Sequence, residues 1–162
     1  PRCGTPLEPG ANPLRCGRCT LTYFINPTVA AAAFVFDPHG RVIVIRREKE
    51  PAKGKWTIPG GFLDIGETAE AGLAREVREE VGLEIDEITF LCSEPNEYNF
   101  KDVTYPVCDM IFTARSLFPD EAAALDGAED FAWVLPSDLK TEEIAFPSVR
   151  KGLALICRND FP

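Results

Sequence analysis

The sequence predicts an α/β fold: an α/β/α sandwich on a mixed sheet, preceded by a small N-terminal segment unable to build a core of its own. Three observations predict it. From Val29 onward, short β-branched and aromatic runs alternate with turn residues. After residue 68 one stretch among those runs carries apolar residues at helical spacing, and a second helical pattern closes the chain. The 162 residues suffice for one good core and an appendage, so the expected division is 1–26 and 27–162.

Residues 1–26 are rich in Pro, Gly, Cys and Arg and show little apolar periodicity, so they need a staple. Cys16-Gly17-Arg18-Cys19 is a C-x2-C knuckle, and Cys3-Gly4 looks like the second half of another. We read the segment as a zinc-ribbon-like unit with ligands Cys3, Cys16 and Cys19. Its fourth ligand is expected three positions before Cys3, upstream of Pro1. The only histidine, His39, is no substitute: it sits in the turn Asp37-Pro38-His39-Gly40 and is expected to be solvated. That turn joins two strands, Val29 to Phe36 and Val42 to Ile45. Trp56 to Ile58 is a short strand stopped by Pro59-Gly60-Gly61. A loop then reaches Thr68, the expected N-cap of a helix over 69–81, with Gly82 as its stop. Strands follow near 83–93, 105–115 and 130–135. The acidic segment Pro119 to Asp130 reads as a mobile connection or a short helix. Pro136 to Leu139 starts a helical turn. Ser148 to Cys157 reads as a closing helix, with Val149, Leu153 and Ile156 at helical spacing.

Composition narrows the function classes. The net charge of −9 argues against a sequence-independent binder of nucleic acid, which needs a basic face. No apolar run is long enough to span a membrane, and no signal peptide is visible. Cys92, Cys108 and Cys157 lie singly in apolar stretches and read as buried, reduced thiols, which favours a cytoplasmic location. A homodimer is kept as an option for the assembly.

The chemistry concentrates in residues 61–83, GFLDIGETAEAGLAREVREEVGL. Glu76, Glu79 and Glu80 stand at i, i+3 and i+4, within an arc of about 100° on one helical face. Ala74, Val77 and Val81 fall on a neighbouring arc suited to a core. Three carboxylates on one face repel each other, and a hard divalent cation would offset that repulsion. Taken alone, REVREE also fits a solvated, ion-paired face. The full pattern is more specific: G-x5-E-x7-R-E-U-x-E-E-x-G-U, with U apolar, filled by Gly61, Glu67, Arg75, Glu76, Val77, Glu79, Glu80, Gly82 and Leu83.

That pattern is the Nudix box, and the chain resembles a Nudix hydrolase over roughly residues 28–157. The approach Trp56 to Gly61 is also similar to the usual lead-in to the box. The resemblance implies a mixed sheet between helices and hydrolysis of a nucleoside diphosphate linked to another group. It implies that Glu76, Glu79 and Glu80 bind Mg2+ or Mn2+, with Glu79 or Glu80 as the in-box base. In other members the base lies on a later loop, where Glu129 and Asp130 are the candidates here, and Glu129 alternatively completes the metal site. Arg75 is expected to pair with Glu67 and orient Glu76. Gly60 and Gly61 are expected to let the backbone approach metal and phosphates. Ribbon-bearing Nudix proteins include NADH pyrophosphatases, which carry S-Q-P-W-P-F-P-x-S after the box. Here Ser93 to Phe100 matches only at Ser93 and Pro95. The substitutions Glu94, Asn96, Glu97 and Asn99 suggest a polar, acidic wall that grips nicotinamide less well. With the tail Ile144 to Ser148, the ribbon and box look more like a branch active on ADP-ribose or FAD-like dinucleotides. Tyr98, Phe100, Tyr105 and Phe24 are candidates to stack a base, or else pack in the sheet. The alternatives are an NADH pyrophosphatase, a non-catalytic nucleotide-sensing module, against which the intact acidic positions speak, and a structural or nucleic-acid-binding protein led by the ribbon.

Overall fold

The computed structural model describes residues 2–7 and 10–158. Two short strands, β1 (Leu14–Arg15) and β2 (Thr22–Tyr23), pair antiparallel in the N-terminal segment. The main sheet is built from β3 (Thr28–Phe36), β4 (Val42–Arg47), β5 (Trp56–Thr57), β6 (Gly60–Phe62), β7 (Ile85–Phe100), β8 (Val103–Ser116) and β9 (Ala128–Val134). Two helices cover it, α1 (Ala69–Val81) and α2 (Pro147–Arg158). The order runs β5-β4-β3-β8-β7, with β6 also on β3 and β9 on β4. Only β3 and β8 run parallel, so the sheet is mixed. No helix among the described residues is long and apolar enough to cross a membrane.

The period-2 pleat explains the sandwich. Along β3, Ala31, Ala33 and Val35 pack with Leu73, Val77 and Val81 of α1, while Phe34 and Phe36 pack with Val149, Leu153 and Ile156 of α2. Both faces of β3 are therefore buried, as its near-continuous apolar run requires. The helix α1 begins and ends at the expected residues. The Thr68 hydroxyl accepts the Ala71 N–H at 3.2 Å, and Gly82 stops the helix at φ 72°. Its buried stripe is Gly72, Leu73, Val77 and Val81, so Leu73 takes the core position expected of Ala74.

Two expectations are corrected, and one that was open between two readings is resolved. The strand expected to end at 93 runs on to Phe100 and pairs with β8 as far as Phe100↔Val103. Pro95 is tolerated because β7 is an edge strand, where a missing N–H costs no ladder bond. Of the two readings of the segment after Pro119, the short helix is the one present, as a 3-10 turn over Pro119–Glu121. The N–H groups of Ala123, Leu125 and Asp126 reach the carbonyls of Val81, Glu80 and Glu79. Those are end-of-helix acceptors with no partner inside α1. Cys157, expected buried, is exposed, because it lies on the outer side of α2 while Ile156 and Leu153 take the core stripe.

The turn at Asp37 offers a test of stability. Asp37 is 3% exposed, and its Oδ1 accepts the N–H groups of His39 and Arg41 while Oδ2 accepts Arg41 Nε. Burial pushes its carboxyl up, but those donors outweigh burial and hold it below its usual value of 3.8. A depressed folded value gives stability that is present above the unfolded pKa and lost as pH falls through the folded one. Asp37→Ala is expected to cost about 1–3 kcal/mol at pH 7. In urea unfolding, the gap to wild type should narrow as pH falls below about 3.9.

Candidate active site

The site begins with a split in the sheet. β3 and β4 pair only at Phe36↔Val42, then part. β6 takes the β3 edge, through Ala30↔Phe62, Ala31↔Gly61 and Ala32↔Gly60, and β5 takes the β4 edge. A cleft of about 480 Å³ opens there, lined from several elements by Gly60, Gly61, Arg75, Glu76, Glu80, Tyr98 and Phe146 among others.

The two glycines are needed for contacts within the chain, which refines their expected role. Gly60 lies at φ 148°, and a Cβ there would stand 2.3 Å from the Ala31 carbonyl oxygen. A Cβ on Gly61 would stand 2.5 Å from the Glu76 carboxyl carbon. Bare backbone at these positions lets β6 lie on β3 and lets α1 bring its carboxylates against β6. The Gly60 N–H donates to Glu80 Oε2 at 2.9 Å.

Arg75 joins three elements. Its Nε and Nη2 donate to Glu67 at 2.8 and 3.0 Å, its Nη1 to Glu76 at 2.8 Å and Glu79 at 3.1 Å, and Nη2 also to the Phe62 carbonyl at 3.1 Å. All five guanidinium N–H groups are thereby used. The expected Arg75–Glu67 pair is present, and Arg75 also anchors β6. These hydrogen bonds hold the Glu67 carboxyl at about 2, with the Asp64 N–H adding to them. Burial pushes Glu76 up, against the pull of Arg75. Burial pushes Glu80 up to about 8, against the Gly60 N–H and with added repulsion from Glu76. A hard cation would reverse the sign of that environment, so carboxylates held beside one another at such a cost suit Mg2+ or Mn2+.

The remaining site candidates divide. Glu76 and Glu80 line the cleft. Glu79 and Glu129 do not. Glu79 is exposed on the outer side of Arg75, and Glu129 is exposed on β9 at the register shift opposite Arg46 and Arg47. Asp130 is exposed too and pairs with Arg46 in register. Tyr98 and Phe100 line the cleft, while Tyr105 and Phe24 stand exposed outside it. Tyr98 packs edge-on to Phe62 at 5.3 Å and tilted to Phe146 at 6.5 Å.

The polar, acidic wall expected after the box is corrected. Because β7 is a strand, its side chains alternate, and Asn96, Tyr98 and Phe100 alone of Ser93 to Phe100 face the cleft. Glu97 and Asn99 are exposed elsewhere, and Glu94 is paired with Lys151. Arg47, Lys49 and Asp109 had no expected role, and Phe146 and Ser148 entered only as part of the tail Ile144 to Ser148, without a place at the site. Of these, Asp109 carried a signal: a lone acidic residue in the run Val107 to Phe112, which the pleat must bury or aim at a site.

In the N-terminal segment, the sulfur atoms of Cys3, Cys16 and Cys19 lie within 4.8 Å of one another, with Cys3 and Cys16 3.6 Å apart. Four sulfurs at about 2.3 Å from a tetrahedral Zn2+ would stand about 3.8 Å apart, so the donor set fits zinc. Among the described residues this is the only such convergence of ligand atoms. The glutamates of α1 form no such group of three: Arg75 engages Glu76 and Glu79, while Glu80 accepts the Gly60 N–H.

The NUDIX domain family model matches residues 26–154. The NAD-capped RNA hydrolase NudC of Vibrio vulnificus is 31% identical over 162 residues, covering 99% of this chain and 60% of that protein. A MutT-like protein of Streptomyces ambofaciens is 32% identical over 116 residues, covering 69% of this chain and 66% of its own. The ADP-ribose pyrophosphatase of Methanocaldococcus jannaschii is 37% identical over 60 residues, covering 37% of this chain and 35% of its own. The chain thus spans between a third and two thirds of the length of these relatives. Among solved structures, the NUDIX domain of Shewanella oneidensis NrtR complexed with ADP ribose superposes with a TM-score of 0.69 at 20% identity, covering 85% of this chain and 91% of that one. The MutT NUDIX hydrolase of Burkholderia pseudomallei gives 0.68 at 24% identity, covering 82% and 99%. These two likenesses bear on the fold.

Proposed function

The chain belongs to the Nudix family, and from that premise we propose that its cleft hydrolyses the diphosphate linkage of a nucleoside diphosphate derivative, ADP-ribose or a FAD-like dinucleotide in preference to NADH. One observation carries the reading: Glu76 and Glu80 line a single cleft with Arg75, Gly60 and Gly61 around them. Glu76 and Glu80, with Glu79 beside them on the helix, would hold Mg2+ or Mn2+, which neutralises the diphosphate and lowers the pKa of a bound water. The protein supplies the rest. Arg75 fixes the helix face against the Glu67 loop and β6. The Gly60 N–H engages Glu80 Oε2, leaving Oε1 to accept a proton, so Glu80 is the favoured base over Glu79 and Glu129. Arg47 and Lys49, both on the cleft wall, can meet phosphate charge. Tyr98 and Phe100 offer ring faces to a base or flavin.

The alternative substrates are NADH and NAD-capped RNA, since several relatives carry the latter in their names. The net charge therefore does not exclude an RNA-linked substrate. What favours ADP-ribose is that the tryptophan and most prolines of the NADH-type motif are absent from β7. A screen of ADP-ribose, FAD, NADH and an NAD-capped oligonucleotide with Mg2+ or Mn2+, reading released monophosphates, tests all of this. ADP-ribose or FAD should show the highest kcat/KM, by about fivefold or more, the value of one stacking contact. Excess EDTA should abolish turnover. Full activity in EDTA would defeat the metal assignment, and a clear NADH preference would defeat the substrate assignment.

The N-terminal division at residues 26/27, the zinc ribbon and a cytoplasmic location belong to the same proposal. Protein with its native N-terminus should carry about one Zn2+ per chain by elemental analysis. Absence of zinc from that protein would refute the ribbon.

A further inference from the structure

Asp109 is 8% exposed, lines the cleft and has no part in the chemistry described above. It lies on β8 between Val107 and Ile111, on the face that packs against α2. Its Oδ2 accepts two donors, Asn96 Nδ2 at 2.9 Å from β7 and the Ser148 hydroxyl from the first turn of α2. A carboxylate oxygen offers about two acceptor positions, so Oδ2 is filled. Oδ1 makes no hydrogen bond among the described residues. One acceptor oxygen of a buried carboxylate is therefore left over, in a residue that borders the cleft.

The surroundings limit what it can meet. Ala30, Ala32, Val107 and Ile111 are apolar neighbours on the same wall, and the Tyr98 and Phe146 rings lie nearby in the lining. Such a wall suits a flat heterocycle. Asp109 pairs in register with Ala30, and Ala30 with Phe62 on β6. Two strand spacings, about 10 Å of backbone, thus separate Asp109 from the strand that meets Glu76 and Glu80. A nucleotide with its diphosphate at the glutamates would carry its base toward Asp109 across the intervening ribose.

We propose that Asp109 reads the exocyclic amine of adenine, so that the cleft selects adenine nucleotides; this rests on the diphosphate-cleaving reading above. Adenine offers a single amine donor, which one free carboxylate oxygen can accept. Hypoxanthine places a carbonyl oxygen where that amine stands, so two acceptors face each other, and its ring N1–H reaches the carboxylate oxygen only if the base shifts within the cleft. Guanine presents two adjacent donors that need both oxygens, and Oδ2 is already taken by Asn96 and Ser148.

The test compares ADP-ribose with its inosine counterpart, IDP-ribose, in Mg2+, for wild type and Asp109→Asn. Binding of AMP and IMP to the same proteins by calorimetry accompanies it. Wild type should favour adenine by about 10- to 100-fold in kcat/KM, the worth of one hydrogen bond to a charged acceptor. Asp109→Asn can present an N–H in place of the oxygen and should bring the ratio to one or below. If Asp109 only held α2 to the sheet, both substrates would lose equally and the ratio would stand, which overturns the proposal. Ser148→Ala frees an acceptor position on Oδ2 and should narrow the discrimination between AMP and GMP. That variant tests the idea even if Asp109→Asn folds poorly. Equal binding of AMP and IMP by wild type, or no binding of either, also overturns it. Failure to hydrolyse any dinucleotide while AMP still outbinds IMP would remove the activity reading and leave base recognition standing.

Discussion

Glu80→Gln is expected to lower kcat by on the order of 10²–10⁴ while the protein stays folded. The substitution keeps the shape of the side chain. Its Oε1 can still accept the Gly60 N–H, which in the wild type donates to Glu80 Oε2 at 2.9 Å, so α1 should keep its seat against β6. What is removed is the negative charge and the proton-accepting oxygen. Burial pushes that carboxyl up to about 8, so the fold by itself disfavours the charged form that a cation would favour. Neutralising it should therefore leave stability unchanged or slightly raised, a sign opposite to that of an ordinary structural residue. Glu79→Gln should cost less than Glu80→Gln, because Glu79 is exposed and lies outside the cleft. Paired measurements of kcat and urea midpoint for both variants check this. Glu80→Gln within about threefold of wild type would remove Glu80 from the site, and a collapse in its stability would show its role to be structural.

That ordering of Glu80 above Glu79 was not legible in the sequence, and the reason is tertiary. Local signals set the helix: Thr68 caps it, Gly82 ends it, and the three glutamates share a face by spacing alone. Which of them looks into a cleft depends on β6, which enters from the other side of a loop, and on where Arg75 turns its five donors. Likewise the alternation of β3 was readable, since Ala31, Ala33 and Val35 and then Phe34 and Phe36 divide by parity. The length of β7 was not. Pro95, Asn96 and Asn99 read locally as breakers, but edge position excuses Pro95, and cross-strand partners engage the amides, Asn96 with Asp109 and Asn99 with Thr104. The base-side wall was the least legible part. Asp109, Asn96 and Ser148 meet only because β7, β8 and the start of α2 converge, and Ser148 stands 39 residues from Asp109. No short-range pattern encodes such a meeting. In the segment after Pro119 the short helix was legible, but the role of the residues beyond it was not, for a related reason. Its acidic composition suggests solvent, whereas its N–H groups serve the carbonyls at the end of α1 and so bring Gly127 beside Glu80.

Arg75→Lys should cost on the order of 10² in kcat/KM, although charge is conserved. The guanidinium makes five bonds in fixed directions: two to Glu67, one each to Glu76 and Glu79, and one to the Phe62 carbonyl. An ammonium has three donors and a shorter reach, so at least two of these bonds are lost. The loss falls on positioning. Glu67 would no longer clamp its loop to α1, and Phe62 would no longer tie β6 to the helix. Glu76 would turn within the space that Gly61 leaves bare, a space so tight that a Cβ there meets the carboxylate at 2.5 Å. A displacement of about 1 Å at a reacting group is enough for a loss of this size. Stability should fall by only about 1–3 kcal/mol, because the core stripe Leu73, Val77 and Val81 is untouched. The Mg2+ concentration needed for half-maximal rate should rise, since Glu76 is held less firmly, and saturating Mg2+ should restore part of the rate. A purely structural role would lower the melting temperature and leave the Mg2+ requirement where it was. A Lys variant with wild-type kcat/KM and an unchanged Mg2+ requirement would show that the five-bond network is incidental to the site.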